Sequence, residues 1–292
     1  MRRVALATYE SAPDLAPDDR LLVPALERAG GGIRAEAAVW SDQSIDWGSY
    51  DAVVIRSCWD YHLRVAEFFT WLDRLESERV RVWNPPALVR WNADKRYLLD
   101  LARRGVPTIP TMIALRGRPR DVEAIVHAEG WQRVVVKPAI SASGYETHSV
   151  ASPFDAGAYD TIARVSSLCD VLVQPFVEEI PRDGELSFTF IDGRFSHAAL
   201  KRARPGGGEF RVQTEHGGSV ETTSVETGLV EQAARVLAAI DDVPLYARVD
   251  GVVRGGDLLL MELELIEPNV FFGSRPGAVD DFAAAIRARL DG

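Results

Sequence analysis

The 292-residue sequence has little cysteine, no long apolar run and no excess of basic residues. Its two cysteines, Cys58 and Cys169, match no zinc or redox motif, which argues against a disulfide framework and favours a reducing cytoplasm. No segment approaches the roughly eighteen apolar residues of a membrane span, and the start, MRRVALATYE, resembles neither a signal peptide nor an anchor. The net charge of −10 disfavours nucleic acid or an anionic membrane as the main partner.

The sequence also lacks the motif G-x-x-x-x-G-K-[ST], which excludes a P-loop phosphate site. Its length exceeds one ordinary core and indicates two domains or three smaller lobes. The content of hydrophobic residues (47%) and charged residues (26%) is that of an ordinary globular protein. Composition therefore leaves the function to be read from the motifs.

Strand and helix patterns alternate over residues 1–90. The short apolar runs are RVALAT, IRAEAAVW and YDAVVIR, and the segments with helical spacing are DDRLLVPALERAG and VAEFFTWLDRLESE. This order predicts a parallel α/β lobe. Later segments instead predict hairpins, such as ELSFTFIDGRFSHAALKR with Asp-Gly at its turn, preceded by a helix NADKRYLLDLARRG that Asn92 would cap. The rest of the chain is therefore predicted to be α+β with mainly antiparallel sheets.

Three acidic residues near the C-terminus form a candidate metal site. Asp250 lies in RVD, and Glu262 and Glu264 lie in the otherwise apolar strand MELEL. Alternation places Glu262 and Glu264 on one face, where they would repel one another unless a cation compensates them. Mg²⁺ takes oxygen ligands of this kind. The alternative is a surface ladder whose charges face water.

Three lysines are candidates for binding phosphate. Lys137 ends the strand RVVV, just before a loop of small residues whose backbone amides could approach phosphate oxygens: Ser141, Ser143 and Gly144. Lys95 stands near a helix start, where a cation is unusual, and Lys201 ends the strand FSHAALK. The alternative is that each is a solvated residue at the end of an element.

Two further segments could line a ligand pocket. In VQPFVEEI, the backbone beside Pro175 could pair with an adenine edge and Phe176 could pack on the ring, or the segment is an ordinary connection. In RSCWDYHL, at the carboxyl end of a predicted strand, Arg56 could hold a carboxylate with its planar fork. Its other candidate substrate residues are Trp59, Asp60 and Tyr61. The alternative for this segment is a solvated loop packed over Trp59.

In this order the motifs resemble the ATP-grasp superfamily, and most closely the prokaryotic glutathione synthetases and the D-cycloserine synthetase-type enzymes. The residues that carry the resemblance are NPPALVRWNADK, VVVKP, VQPF, DGELSF, LKRARPGGGEFRVQTEHGG, RVD and ELELIEPN. The resemblance implies an ATP-grasp fold that combines α/β and α+β lobes. Its expected parts are an N-terminal parallel lobe (1–90), a small lid subdomain (91–177) and a C-terminal subdomain with the metal site (178–292).

The resemblance also implies roles for individual residues. ATP would be bound by Lys95, Lys137, Ser141, Ser143, Gly144, Gln174, Phe176, Val177, Glu179 (at the ribose) and Lys201. The catalytic residues would be Lys201, Arg211 and Arg248, and one or two Mg²⁺ ions would bind Asp250, Glu262 and Glu264. The sequence departs from the family at Glu264, where Asn is usual, and at Glu185, where many glutathione synthetases have a basic residue.

The chemistry that the resemblance implies is transfer of the ATP γ-phosphoryl group to a small amino-acid-type carboxylate, followed by attack of a nitrogen nucleophile on the acyl phosphate. The nucleophile could be intramolecular, as in cyclisation of O-ureido-D-serine to D-cycloserine, or belong to a second substrate. A non-catalytic ATP sensor is the third alternative. Two glycine-flanked segments, Ser141–Gly144 and Gly206–Gly218, would be lids that exclude water. We expect a monomer or a homodimer.

Overall fold

The computed structural model describes residues 1–206 and 209–292, which form three sheets. The first is the predicted parallel sheet, with strand order β2-β1-β3-β4. Its strands are β1 (Arg2–Thr8), β2 (Ile33–Val39), β3 (Ala52–Ser57) and β4 (Arg81–Trp83), and its helices are α1 (Leu22–Arg28) and α2 (Val65–Ser77). The apolar runs of β1 and β3 are fully buried because helices cover both faces of the sheet.

The second sheet is antiparallel, with strand order β5-β8-β6-β7. Its strands are β5 (Met112–Ala114), β6 (Arg133–Pro138), β7 (His148–Ala151) and β8 (Val171–Pro175). The helices of this part are α3 (Pro86–Ala93), α4 (Tyr97–Arg103), α5 (Pro119–Glu129) and α6 (Ala156–Leu168). On β6, Val134 and Val136 enter a core beneath α5 and α6. Alternation then leaves Lys137 on the opposite face.

The third sheet is also antiparallel, with strand order β11-β10-β9-β12-β13. Its strands are β9 (Glu185–Ile191), β10 (Arg194–Arg202), β11 (Ser219–Thr223), β12 (Tyr246–Arg254) and β13 (Asp257–Glu264). Its helices are α7 (Glu179–Asp183), α8 (Thr227–Ala238) and α9 (Ala278–Asp291). The predicted hairpin turn joins β9 to β10, where Asp192 and Gly193 have φ angles of 51° and 73°, as a tight hairpin turn requires.

The C-terminal helix α9 packs on the N-terminal lobe. Phe282 and Ile286 of α9 share one hydrophobic core with Leu6 of β1 and Leu26 of α1. Each sheet lies within one of the predicted ranges 1–90, 91–177 and 178–292, but this core joins the first range to the third. The three ranges therefore remain a prediction.

The predicted helix NADKRYLLDLARRG is interrupted, and Asn92 is not its cap. Asn92 lies in the last turn of α3, and α4 starts only at Tyr97. The Asn92 side chain donates to the carbonyl of Leu263 (2.8 Å) and accepts from the amide of Leu265 (2.9 Å). It thereby fixes α3, and the turn that carries Lys95, to the end of β13. In the part of the chain that the structure describes, none of the helices has the length and apolar character to cross a bilayer.

Candidate active site

A cavity of about 520 Å³ lies between the second and third sheets and reaches the N-terminal lobe. Its volume is within the usual range of small-molecule sites. Its charged lining residues are Lys95, Lys137, Glu185, Lys201, Arg211, Glu215, Arg248, Asp250, Glu262, Glu264 and Glu267. Most of the predicted charged residues therefore converge on one cavity.

A β-bulge at Met261 determines which face of β13 carries the carboxylates. Opposite β12, Asp250 pairs with Glu262 but Gly251 pairs with Leu260, so Met261 has no partner in the register. The extra residue reverses the alternation. Leu258 and Leu260 before the bulge, and Leu263 and Leu265 after it, consequently share one core. Glu262 and Glu264 project into the cavity.

Asp250 is fully enclosed by donors. It accepts hydrogen bonds from the Ser187 hydroxyl (2.7 Å), from Lys201 Nζ (2.7 Å) and from Arg248 Nε and Nη2 (2.9 and 2.8 Å). Burial alone would raise the pKa of Asp250, but Arg248 and Lys201 outweigh it and hold that pKa well below its usual range. Asp250 is therefore ionised, and it orients both cations.

Glu262 and Glu264 differ in how their charges are compensated. Glu262 pairs with Lys95 (3.0 Å), and although burial opposes it, Lys95 and Lys137 lower the pKa of Glu262. Burial raises the pKa of Glu264 to about 7, and the neighbouring Asp250 and Glu262 add to the shift although Glu264 pairs with Arg248. Near neutral pH this face of the cavity therefore has more acidic groups than it can keep ionised.

The three predicted lysines line the cavity from different elements. Lys95 Nζ donates to the carbonyl of Ser141 (2.6 Å), which ties it to the loop of small residues. Lys201 Nζ lies between Glu185 (2.5 Å) and Asp250 (2.7 Å). Over residues 1–206 and 209–292, Lys137 has no carboxylate within 4.0 Å, and burial lowers its pKa. Lys137 is thus the most available of the three for an anionic ligand.

The two predicted lid segments contact each other. The carbonyl of Ser143 lies 3.3 Å from His216 Nε2, and a Cβ built on Gly144 would lie 3.2 Å from Gln213 and 3.3 Å from Arg211. Arg211 is paired with Glu209 (2.7 Å). Gly207 and Gly208, which belong to the predicted lid Gly206–Gly218, lie outside the described residues. Residues 210–215 of this segment line the cavity.

The predicted adenine region is partly as expected. Gln174, Phe176 and Val177 line the cavity, and Phe176 packs edge-on against Phe210 with ring centroids 5.6 Å apart. The prediction that Glu179 takes the ribose does not fit. Glu179 lies at the start of α7, accepts both a 2.6 Å and a 3.0 Å hydrogen bond from Arg254, and is not part of the cavity wall.

A cavity carboxylate to which the sequence reasoning gave no role is Glu185, on β9, which pairs with Lys201 beside Asp250. The signal for it was present in the sequence, since Glu185, Ser187 and Thr189 alternate with apolar residues and are all buried polar groups. Alternation alone would have placed them on the face that became the cavity wall.

The substrate wall predicted from RSCWDYHL requires two corrections. Arg56 is 0% exposed, pairs with Asp19 (2.9 Å) and donates to the carbonyl of Pro268 (2.7 Å), so it does not line the cavity. Asp60 accepts a hydrogen bond from Trp40 Nε1 (2.8 Å) and is not a lining residue either. Trp59 and Tyr61 do line the cavity. The aromatic part of the segment therefore forms the wall.

Comparison with known proteins places the chain in a family. The sequence model of the N-terminal domain of D-cycloserine synthetase DcsG matches residues 4–84. The cycloserine biosynthesis protein DcsG of Streptomyces lavendulae is 36% identical, over 94% of this chain and 95% of that protein. The chain belongs to the D-cycloserine synthetase family. The crystal structure of D-cycloserine synthetase DcsG superposes with a TM-score of 0.88 at 32% identity, covering 99% of each chain.

A more distant comparison concerns the fold alone. The D-alanine–D-alanine ligase of Bacillus anthracis has a TM-score of 0.66 at 15% identity, covering 100% of this chain and 99% of that one. The predicted ATP-grasp fold and the predicted resemblance to D-cycloserine synthetase-type enzymes are thus confirmed. This member of the D-cycloserine synthetase family is an ATP-grasp ligase, and ATP use follows from the family.

The chemistry of the donors fits a divalent cation at Glu262 and Glu264. Both carboxylates face the cavity, and their mutual repulsion contributes to the raised pKa of Glu264. A hard cation bound between them would reduce this repulsion. Among the described residues, however, no three acidic, His or Cys side chains are arranged as a ready metal-ligand group. Asp250 is held by Arg248 and Lys201 instead. The three-residue metal set therefore remains a prediction.

Proposed function

We propose that this enzyme phosphorylates the carboxylate of a small amino acid and then closes a ring by attack of a nitrogen atom of the same molecule, as in conversion of O-ureido-D-serine to D-cycloserine. The cyclising reaction is proposed from the 36% identity to a protein of cycloserine biosynthesis. The alternatives are an intermolecular ligase of the glutathione synthetase type and an ATP sensor.

The observation that carries the acyl phosphate chemistry is the position of Arg248. Its guanidinium joins the acidic face to the next loop, pairing with Asp250 (2.8 Å) and Glu264 and donating to the carbonyl of Asn269 (2.9 Å). It also lies 5.3 Å from the Phe271 ring centroid. A fixed cation in the wall of the cavity that the three lysines also line can stabilise negative charge that develops as phosphoryl passes to a carboxylate.

The reaction then divides among residues of this chain. Lys95, Lys137 and Lys201 would neutralise the ATP phosphates, while a carboxylate oxygen of the substrate attacks the γ-phosphorus and ADP leaves. The nitrogen nucleophile next bonds to the acyl carbon, phosphate leaves, and the nitrogen loses one proton. With O-ureido-D-serine the ring nitrogen still carries a carbamoyl group, which one water then removes as carbon dioxide and ammonia to give D-cycloserine. Magnesium bound at Glu262 and Glu264 would supply further charge neutralisation. The lids would exclude water, which otherwise hydrolyses the acyl phosphate.

The decisive experiment measures ADP release with ATP, Mg²⁺ and O-ureido-D-serine as the single organic substrate, with the product identified by mass spectrometry. We expect ADP, phosphate and a product that has lost carbon dioxide and ammonia relative to the substrate, because the carbamoyl group must be removed by one water after the ring closes. If ADP appears only after a second amine is added, the enzyme is an intermolecular ligase and the cyclisation proposal is wrong.

A variant distinguishes the ligase from a sensor. Glu262→Gln keeps the size of the side chain but removes a charge that faces the phosphates, so we expect ADP release to fall by about a hundredfold or more. Nucleotide binding, measured by calorimetry with a non-hydrolysable ATP analogue, should weaken far less. A wild-type protein that binds ATP but releases no ADP with any amino acid tested would instead support the sensor.

A further inference from the structure

The loop that follows β13 is held by an unusual series of contacts. Its four consecutive backbone carbonyls, Ile266 to Asn269, each accept a hydrogen bond from a side chain. In order, the donors are the Tyr246 hydroxyl (2.8 Å), the Trp59 indole (3.0 Å), the Arg56 guanidinium (2.7 Å) and the Arg248 guanidinium (2.9 Å). Donors from the N-terminal lobe and from β12 thus fix this loop against the cavity.

Fixing the backbone also fixes the direction of the Glu267 side chain. The Glu267 carbonyl is bound by Trp59, and the Glu267 side chain lines the cavity together with Trp59 and Tyr61. Glu267 is half-buried and is part of the cavity wall. The part of the cavity wall formed by Trp59 and Tyr61 therefore contains a carboxylate whose backbone is held in place by a hydrogen bond.

Glu267 differs from the other carboxylates around Arg248 because, among the described residues, no cation lies within ion-pair distance (4.0 Å) of it. Glu185, Asp250, Glu262 and Glu264 each pair with a lysine or arginine. Over residues 1–206 and 209–292, the Glu267 carboxylate has no ion pair and no side-chain hydrogen-bond donor. Burial raises its pKa well above the usual value, and Glu264 adds to the shift, which the more distant charge of Lys95 opposes without outweighing it. A buried carboxylate of this kind is costly unless something compensates it.

We propose that Glu267 is a specificity-determining residue that binds a cationic nitrogen of the substrate, such as the α-ammonium of an amino acid. Arg248, on β12, donates to the loop at the Asn269 carbonyl, two residues after Glu267, and both side chains are part of the cavity wall, so opposite charges are presented there. This pair matches a molecule that carries a carboxylate and an ammonium a few bonds apart. The inference rests on the proposed function in that it assumes an amino-acid substrate, but it does not depend on ring closure.

The experiment compares substrates with and without the amino group. Substrate-stimulated ADP release is measured for a panel of D- and L-amino acids, including O-ureido-D-serine, and for the matching compounds in which hydrogen replaces the amino group. We expect the wild-type enzyme to prefer the amino compounds. In Glu267→Gln, the KM for the best amino compound should rise at least about tenfold, because a charge-assisted contact is lost, while the desamino compound is unaffected.

Several readouts separate this role from others. Glu267→Asp, which keeps the charge, should recover part of the preference for the amino compound. Glu215→Gln removes another cavity carboxylate that has no ion pair in the described part of the chain, and it should change both KM values in parallel. A raised Mg²⁺ requirement in Glu267→Gln, with equal losses for both compounds, would instead make Glu267 a metal-binding residue and overturn the inference.

The outcome is also distinguishable from failure of the proposed function. If the wild-type enzyme prefers amino compounds but forms only an intermolecular product, cyclisation is wrong and the Glu267 inference stands. If the wild-type enzyme does not discriminate amino from desamino compounds, the inference is wrong whatever the product.

Discussion

The end of β13 and the segment 56–63 show how differently two polar motifs behave in one fold. On β13, Glu262 and Glu264 lie on a common face, as alternation predicts, and both reach the cavity. In the segment 56–63, Arg56 turns inward beneath the cavity and only the aromatic residues line it. Within a strand the backbone fixes the direction of each side chain, whereas beyond the strand tertiary contacts decide it.

The comparison also separates two uses of buried charge. Around β13, lysines and carboxylates face a cavity and remain available to a charged ligand. Arg56 is instead satisfied by Asp19 and a backbone carbonyl, with its guanidinium 4.7 Å from the Tyr246 ring centroid. The first arrangement is suited to chemistry and the second to holding a loop in place. Variants around β13 should therefore lose activity, whereas variants of Arg56 should lose stability.

The largest expected effect comes from deleting Leu263, the residue after Glu262. Alternation would then direct Glu264 toward the core and Leu265 toward the cavity. Because a cavity carboxylate is lost and its charge is buried among apolar side chains, we expect ADP release to fall on the order of a thousandfold or more. Deleting Met261 is the matched control, because Glu262 then directly follows Leu260, both carboxylates stay on the cavity face, and far less activity should be lost. A Leu263 deletion variant with normal activity would show that alternation does not set the face.

The second effect concerns stability. Arg56→Met leaves the carboxylate of Asp19 buried without its cation, so the free energy of unfolding should fall by about 3–5 kcal/mol. Urea denaturation measures this loss. Arg64→Met, directly after this segment and partly exposed, should cost less than about 1 kcal/mol. A stable Arg56→Met protein that has lost only its affinity for substrate would restore the original prediction that Arg56 binds the carboxylate.

Most of what could be predicted from the sequence follows from local periodicity. The alternating strands and helices of the N-terminal lobe, and the hairpin at Asp192 and Gly193, follow from spacing and turn chemistry. The shift between Leu260 and Glu262 does not, because a bulge depends on the register of two paired strands. Glu179 was likewise misplaced because its partner, Arg254, is 75 residues away in the sequence.

The third prediction tests the contact between the lids. Gly144→Ala adds a Cβ at a φ of +68°, within 3.3 Å of Arg211 and His216, so it should hinder closure and lower kcat by about tenfold. Gly117→Ala is the matched control, since Gly117 has a φ of +72° and nothing within 4 Å. Both variants carry the same backbone cost. Equal kcat values in the two would mean that the lids need not approach at Gly144.

The smallest expected effect is a dependence of stability on pH that comes from His62. Burial lowers the pKa of His62 to about 4, with Lys95 adding to the shift, and its ring lies 5.2 Å from that of Tyr145. Between pH 6.5 and about 4 the unfolded chain binds a proton that the folded chain does not, so the free energy of unfolding falls as the pH decreases. We expect His62→Phe to make this decrease less steep in a series of urea denaturation measurements at different pH values.

Substituting the exposed His127 by Gln is the control, and it should leave the decrease as steep as in the wild type. A steep decrease that persists in His62→Phe would assign the acid sensitivity to other groups whose pKa values are lowered in the folded protein, such as His197, Asp250 and Glu262.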